Sequence, residues 1–278
     1  MNDIPAIAVS DGEHLRGLTR DDAGFPGTLE SLLFAEADLS DVGSTLMQAP
    51  QIDAASVRFL PLVTRPSKTL CVGLNYADHT AEVGLEQPAV PEVFPRFPSS
   101  LIGHEDEIAR PPESDKLDFE AELVIVIGRR GRRISKAAAL DHVAGYSIFN
   151  DATLRDYQFR TSQWGIGKNF DRTGAFGPWL VTPDTVPPGC KGLRIQGRLN
   201  GEVVQDANTD QFIYDIPALI ELLSETMTLE PGDVILTGTP AGVGWSRTPR
   251  LMMKAGDVFE AEVEGLGILR NRVVDERP

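Results

Sequence analysis

Cysteine is nearly absent: Cys71 and Cys190 are the only two in 278 residues. Two isolated cysteines make no disulfide framework and match no metal-site spacing, so they read as reduced core thiols of a cytoplasmic protein, with a disulfide between them the lesser alternative. Long apolar runs are missing too. The best, Leu123–Ile127, has the length of a strand and falls far short of a bilayer span. The opening residues, MNDIPAIAVSDG, lack the basic start and apolar core of a secretion signal. Positive charge is scarce, and a formal net charge of −15 argues against nucleic acid or an anionic membrane surface as a partner. The one basic run, Arg129–Arg133, has no interleaved aromatics and reads as a solvated turn.

What is present suits an ordinary globular chain: 41% hydrophobic and 24% charged residues, long enough for one large domain or for a large and a small one. Residues 1–65 form a region of their own, with a β-like piece at Ala6–Val9, a helical stretch over Thr28–Ala37 and a proline-bearing linker, LPLVTRPSK. Strand signals then dominate. TLCVGLNY and FEAELVIVIG read as strands, and LRIQGRLNGEVVQDA reads as a hairpin turning at Asn200-Gly201. A second hairpin is expected through Gly265-Leu266-Gly267. Helices are few: Ser135 could cap Lys136–His142, and Tyr214–Met227 carries apolar residues at helical spacing. The alternation of a doubly wound sheet is absent, which leaves a mixed, β-dominated architecture.

Several constellations can carry chemistry. In FEAELVIVIG, alternation along a strand puts Glu120 and Glu122 on one face, directly before a run that must be buried. Two carboxylates that close repel unless a cation lies between them, and hard oxygen ligands suit Mg²⁺, Mn²⁺ or Ca²⁺. The plain alternative is a solvated strand end. Asp151 closes the apolar stretch Val143–Phe149, where a third ligand or an ordinary helix cap would stand. In NYADHTAE, a helical turn would bring His79 and Glu82 together, an orientation suited to a general base. Lys168 lies among glycines and aromatics in QWGIGKNF and could meet a substrate anion or simply face solvent. TGTPAGVG follows a strand, and its glycines let backbone N–H groups approach an anion. It is neither a dinucleotide fingerprint nor a P-loop.

In chain order, NYADHTAE, PSSLIGHED, DFEAELVIVIG, GYSIFNDATLRDYQ, QWGIGKNFD, LEPGDVILTGTPAGVG and EVEGLGILRNRVV resemble the fumarylacetoacetate hydrolase family, from about Lys68 to the C-terminus. The resemblance implies an α+β fold, a β-dominated roll of mixed sheets over residues 66–278, with 1–65 as a small variable region and a homodimer as the assembly. It implies Mg²⁺ or Mn²⁺ held by Glu120, Glu122 and Asp151, with Ca²⁺ an acceptable substitute. His79 and Glu82 become the catalytic dyad on a mobile lid, with Lys168 beside them. Arg96, Arg155, Gln158 and Thr239 become substrate contacts. The implied reaction is hydrolysis of a carbon–carbon bond in a small dioxo acid of the acylpyruvate or fumarylpyruvate type, as in aromatic catabolism. The same site would also serve oxaloacetate decarboxylation, isomerisation or decarboxylation of a 2-hydroxymuconate-type acid, or dehydration of a 2-keto-3-deoxy acid. A non-catalytic binding module would have no use for the His79–Glu82 pair. Two positions depart from the family pattern: Phe94-Pro95-Arg96-Phe97 stands where many members carry a lysine in F-L-K-P, and Gly174-Ala175 where many carry Cys-Pro.

Overall fold

The apolar run after Glu122 dictates the centre of the molecule. In the computed structural model, which describes residues 4–82 and 89–277 and the backbone alone at 79–81, the strand Ala121–Ile127 is buried at every position. A strand buried on both faces needs neighbours on both edges and cover above and below, and a continuous apolar run meets that requirement. Its neighbours are Val234–Leu236 and Val143–Asp151, both antiparallel to it. The full seven-stranded sheet runs Glu92–Pro95, Thr69–Gly73, Val234–Leu236, Ala121–Ile127, Val143–Asp151, Gly174–Val181, Leu101–Ile102. It is mixed: Thr69–Gly73 lies parallel to Val234–Leu236, and Leu101–Ile102 parallel to Gly174–Val181.

A five-stranded sheet supplies the cover. Its order is Glu202–Asn208, Arg194–Leu199, Val258–Val263, Gly267–Asp275, Ile108–Arg110. Both expected hairpins are in it. Asn200 and Gly201 have φ of 52° and 83°, the left-handed pair that a two-residue turn between twisted strands requires. Phe119 stacks on Phe259 of the second sheet, ring centroids 5.0 Å apart, and both are buried. The principal helix, Ile216–Thr226, is capped by Asp215 and buries Leu219, Ile220 and Leu223. The segment Lys136–His142 is a 3₁₀ helix, and Ser135 in front of it makes no side-chain capping bond. Cys71 and Cys190 are buried and unpaired. No helix among the described residues is long and apolar enough to cross a membrane.

The chain divides into two compact units, residues 1–58 and 59–278. In the first, Ala6–Ser10, Leu15–Thr19 and Gln51–Ile52 form a small antiparallel sheet. Its two short helices, Leu29–Phe34 and Leu39–Leu46, are capped by Thr28 and Asp38.

Candidate active site

Three strand ends meet at one place in the seven-stranded sheet. Glu120 stands just before Ala121–Ile127, and Asp151 closes the antiparallel neighbour, whose Asn150 pairs with Ala121. The Asp151 N–H donates to the Glu120 carbonyl at 2.9 Å, so the two residues face each other across the ladder. On the other side, the chain leaving Val234–Leu236 gives the Gly238 N–H to Glu122 at 2.8 Å. One carboxylate oxygen from each of Glu120, Glu122 and Asp151 then lies within 4.8 Å of the others, and all three residues are buried.

Buried carboxylates in that number demand positive charge. Lys168, on the short helix Gly165–Lys168, puts its ammonium 2.7 Å from Glu120 and 2.5 Å from Asp151. Arg155 pairs with Glu120 at 2.7 Å and with Asp118 at 2.7 Å, and donates to Gln158 at 2.9 Å. Arg96 pairs with Asp151 and donates to the Ala152 carbonyl at 2.5 Å. Asp118, two residues before Glu120 and on the same alternation, also accepts the N–H groups of Phe119, Gly244 and Trp245 at 2.9, 2.7 and 2.9 Å.

Four carboxylates and three cations are buried here among the described residues, so with all of them ionised one negative charge would be left over. It would belong to Glu122, for which no ion pair is seen among the described residues. Burial, then the charges of Asp151 and Glu120, push its carboxyl well above the ordinary range. Asp151 differs: burial opposes its charge, but Lys168 and Arg96 outweigh burial and hold its carboxyl down at about 2. Burial also works against the Lys168 ammonium, yet Asp151 and Glu120 keep its pKa above the usual value. Lys168 is thus held as a cation that donates to both Glu120 and Asp151. An unbalanced carboxylate among three convergent, buried, hard donors fits a divalent cation.

The site opens into a pocket with about 600 Å³ of empty space, counting its mouth. Glu120, Glu122, Arg155, Gln158, Lys168 and Thr239 line its floor, and Phe94, Phe159, Trp164 and Trp245 its walls. Arg155 has further reach: its Nη2 is buried and has no hydrogen-bond partner. Arg96 is not among the lining residues; its guanidinium lies behind Asp151, also 3.3 Å from the Thr173 hydroxyl. The two departures from the family pattern turn out to be neighbours. A Cβ on Gly174 would stand 2.8 Å from Arg96 Nη1, so the broad guanidinium fits because residue 174 has no side chain.

Glu82 ends the helix Ala77–Glu82, and both its carboxylate oxygens stand 3.0 Å from the Gly242 N–H in the loop after Thr239. His79 is on that helix, but its side chain lies outside the described residues, as does the segment 83–88 of the expected lid. Residues that the motifs did not single out are Asp118, Gln205 and the four aromatic walls. Of these, Asp118 had a signal, since D-x-E-x-E continues the same-face alternation of the glutamate pair.

The model of the fumarylacetoacetate (FAA) hydrolase C-terminal family matches residues 68–274. The chain belongs to this family. Among its fumarylacetoacetate hydrolase relatives, it is 42% identical over 272 residues to the human mitochondrial oxaloacetate tautomerase FAHD2A, covering 96% of this chain and 86% of that one. In structure it is similar to the fumarylacetoacetate hydrolase (EaFAH) of psychrophilic Exiguobacterium antarcticum, with a TM-score of 0.85, 35% identity, and 99% and 97% of the two chains covered. It is similar also to the 2-hydroxyhepta-2,4-diene-1,7-dioate isomerase of Mycobacterium marinum, with a TM-score of 0.72, 38% identity and 83% of each chain covered. Enzymes of this fumarylacetoacetate hydrolase family act on small molecules.

Proposed function

We propose that this chain is a divalent-metal-dependent enzyme that interconverts the keto and enol forms of a small 2-oxo diacid of the oxaloacetate kind. The observation that carries the reading is Glu122, a carboxylate without an ion pair among the described residues, which lines an open pocket with Glu120 and converges with Glu120 and Asp151. The similarity to an oxaloacetate tautomerase over nearly the whole chain supports the choice of reaction.

Glu120, Glu122 and Asp151 would hold Mg²⁺ or Mn²⁺. The ion would withdraw electron density from a 2-oxo group and so acidify the neighbouring C–H. The remaining chemistry falls to the chain's own residues. Lys168 has three N–H donors and spends two on Glu120 and Asp151, leaving one for a ligand oxygen. The unpartnered Nη2 of Arg155 offers a second donor to a ligand carboxylate, with Gln158 and Asp118 fixing the guanidinium plane. Arg96 pairs with the Asp151 carboxylate and stands outside the residues that line the pocket, so its part is to hold Asp151 in place. A proton must leave one carbon and return, and we assign that transfer to His79. Glu82 ties the helix that bears it to the loop after Thr239. The aromatic walls reduce the exposure of the pocket to water, which strengthens every charge interaction on the floor.

Hydrolysis of an acylpyruvate is the second reading. It needs the same floor and base, plus an attacking water, and the 0.85 structural similarity to a fumarylacetoacetate hydrolase favours keeping it. The test is a spectrophotometric screen with Mg²⁺ and Mn²⁺: loss of enol absorbance from freshly dissolved oxaloacetate, loss of diketone absorbance from acylpyruvates, and release of pyruvate from either. Faster enol decay without pyruvate release supports the tautomerase. Pyruvate released from acylpyruvate, with no effect on enol decay, replaces it with the hydrolase. Pyruvate released from oxaloacetate replaces it with a decarboxylase.

A further inference from the structure

Gln205 sits on Glu202–Asn208, the edge strand of the second sheet, and is buried. Its side-chain amide reaches across to the candidate site. Oε1 accepts from the Ala121 N–H at 3.0 Å, and Nε2 donates to the Pro240 carbonyl at 2.9 Å and to the Thr239 hydroxyl oxygen at 2.8 Å. The amide has one orientation that works. The Ala121 N–H can only donate and the Pro240 carbonyl can only accept, so oxygen and nitrogen cannot be exchanged. The Thr239 hydroxyl oxygen must therefore accept from Gln205. Its single hydrogen then goes to the Ala121 carbonyl, 3.0 Å away and able only to accept. The bonds close a ring of Ala121, Gln205 and Thr239, with Ala121 standing between Glu120 and Glu122.

This ring decides what Thr239 can offer. Thr239 lines the pocket, yet its hydrogen is spent, and toward a ligand it presents a lone pair alone. We infer that Gln205 is a positioning residue that fixes Thr239 as an acceptor, so that the ligand oxygen meeting Thr239 carries a hydrogen: the hydroxyl of an enol or of a 2-hydroxy acid. A carboxylate or keto oxygen placed there would set lone pair against lone pair. The inference rests on the proposed site and gives it a preference between the two forms of its substrate, holding the enol through its hydroxyl.

The test reads binding to the Mn²⁺-loaded protein by calorimetry, with two small chelating acids as probes. Glycolate has a hydroxyl beside its carboxylate, whereas oxalate at neutral pH has acceptors only. Thr239→Val is expected to weaken glycolate by about tenfold, the size of one well-made hydrogen bond, and oxalate by less than about twofold. Gln205→Met is expected to weaken glycolate selectively as well, because an unheld hydroxyl turns freely. The double variant should bind glycolate no more weakly than Thr239→Val alone, since the two residues act in series. Thr239→Ser should keep the wild-type preference. Mn²⁺ affinity and the thermal midpoint are measured beside each variant, so that a general loosening of the site is seen as such. Equal losses of glycolate and oxalate in Thr239→Val, or effects of Gln205→Met and Thr239→Val that multiply, would overturn the inference. Should Gln205→Met not fold, the contrast between Thr239→Val and Thr239→Ser decides it. Because binding is read and not turnover, a missing activity on oxaloacetate and a missing glycolate preference are separate results.

Discussion

Replacing Glu122 by glutamine should move stability in opposite directions with and without metal. Glu122 is the buried carboxylate with no counter-charge, and burial, then Asp151 and Glu120, raise its carboxyl. Below the titration of an unfolded glutamate, near pH 4.3, both states hold the proton and nothing is lost. As pH rises above that point the unfolded chain ionises freely and gains stability. The folded apoprotein then loses about 1.4 kcal/mol per pH unit until Glu122 itself ionises. At pH 7 the ceiling on that loss is roughly 3 to 4 kcal/mol. Glu122→Gln abolishes it while keeping an oxygen for the Gly238 N–H, now 2.8 Å from the carboxylate. At roughly 2 to 4 °C per kcal/mol for a chain of this size, the stripped variant should melt several degrees above the stripped wild type. With Mn²⁺ the order should invert. Wild type gains about 2.7 kcal/mol at a hundred times its Kd, and a variant missing one anionic ligand gains little. Thermal unfolding with EDTA and with Mn²⁺ reads both effects at once. A stripped variant that melts below stripped wild type, or one that gains as much from Mn²⁺, would refute the charge argument.

Metal binding should displace the proton that burial and the charges of Asp151 and Glu120 favour on Glu122, so affinity should fall as pH falls, and Mn²⁺ titrations in buffers of different ionisation enthalpy that give no proton release would count against this. Gly174→Ala should push the Arg96 guanidinium off Asp151, since the new Cβ comes within 2.8 Å of Nη1, and weaken Mn²⁺ by about tenfold. Arg96→Lys in the same chain should recover part of that loss; an alanine variant with unchanged affinity would mean the two positions are not coupled. Lys168→Met should leave Mn²⁺ binding at least as tight, because it removes a competing cation from Glu120 and Asp151, yet cost oxalate about tenfold; the reverse pattern would remove Lys168 from ligand binding. His79→Ala should keep metal affinity and lower kcat by about a hundredfold or more; a variant that turns over like wild type takes His79 out of the mechanism.

The convergence of the three carboxylates was legible because its signals are local. Glu120 and Glu122 share a strand face by alternation, and Asp151 ends the one long apolar stretch that can pair beside them. The two hairpins were legible for the same reason, one turn written as Asn200-Gly201 and the other as Gly265-Leu266-Gly267. The helix Leu39–Leu46 was not, because Gly43 and a run of small polar residues weaken its pattern although Asp38 caps it well. Ser135 looked like a helix cap, but the segment behind it winds as a 3₁₀ helix and leaves its hydroxyl without that bond. Gln205 was out of reach of any motif: it meets Ala121 across 84 residues of chain, from a strand that reads only as half of a surface hairpin. Arg96 read from its motif as a substrate contact, but which way its guanidinium turns depends on the space left by Gly174, and only the packed structure records that it turns to Asp151.

The central claim is that the buried triad binds a divalent ion and that this ion drives enolisation. The most direct measurement follows the decay of oxaloacetate enol absorbance with protein stripped by EDTA, confirmed metal-free by elemental analysis, and then reloaded with Mg²⁺ or Mn²⁺, each against a matched protein-free control. The account predicts no acceleration by the stripped protein and full recovery on reloading. Acceleration by stripped protein equal to that of the loaded protein, or none by a protein shown to have bound its metal, would contradict it.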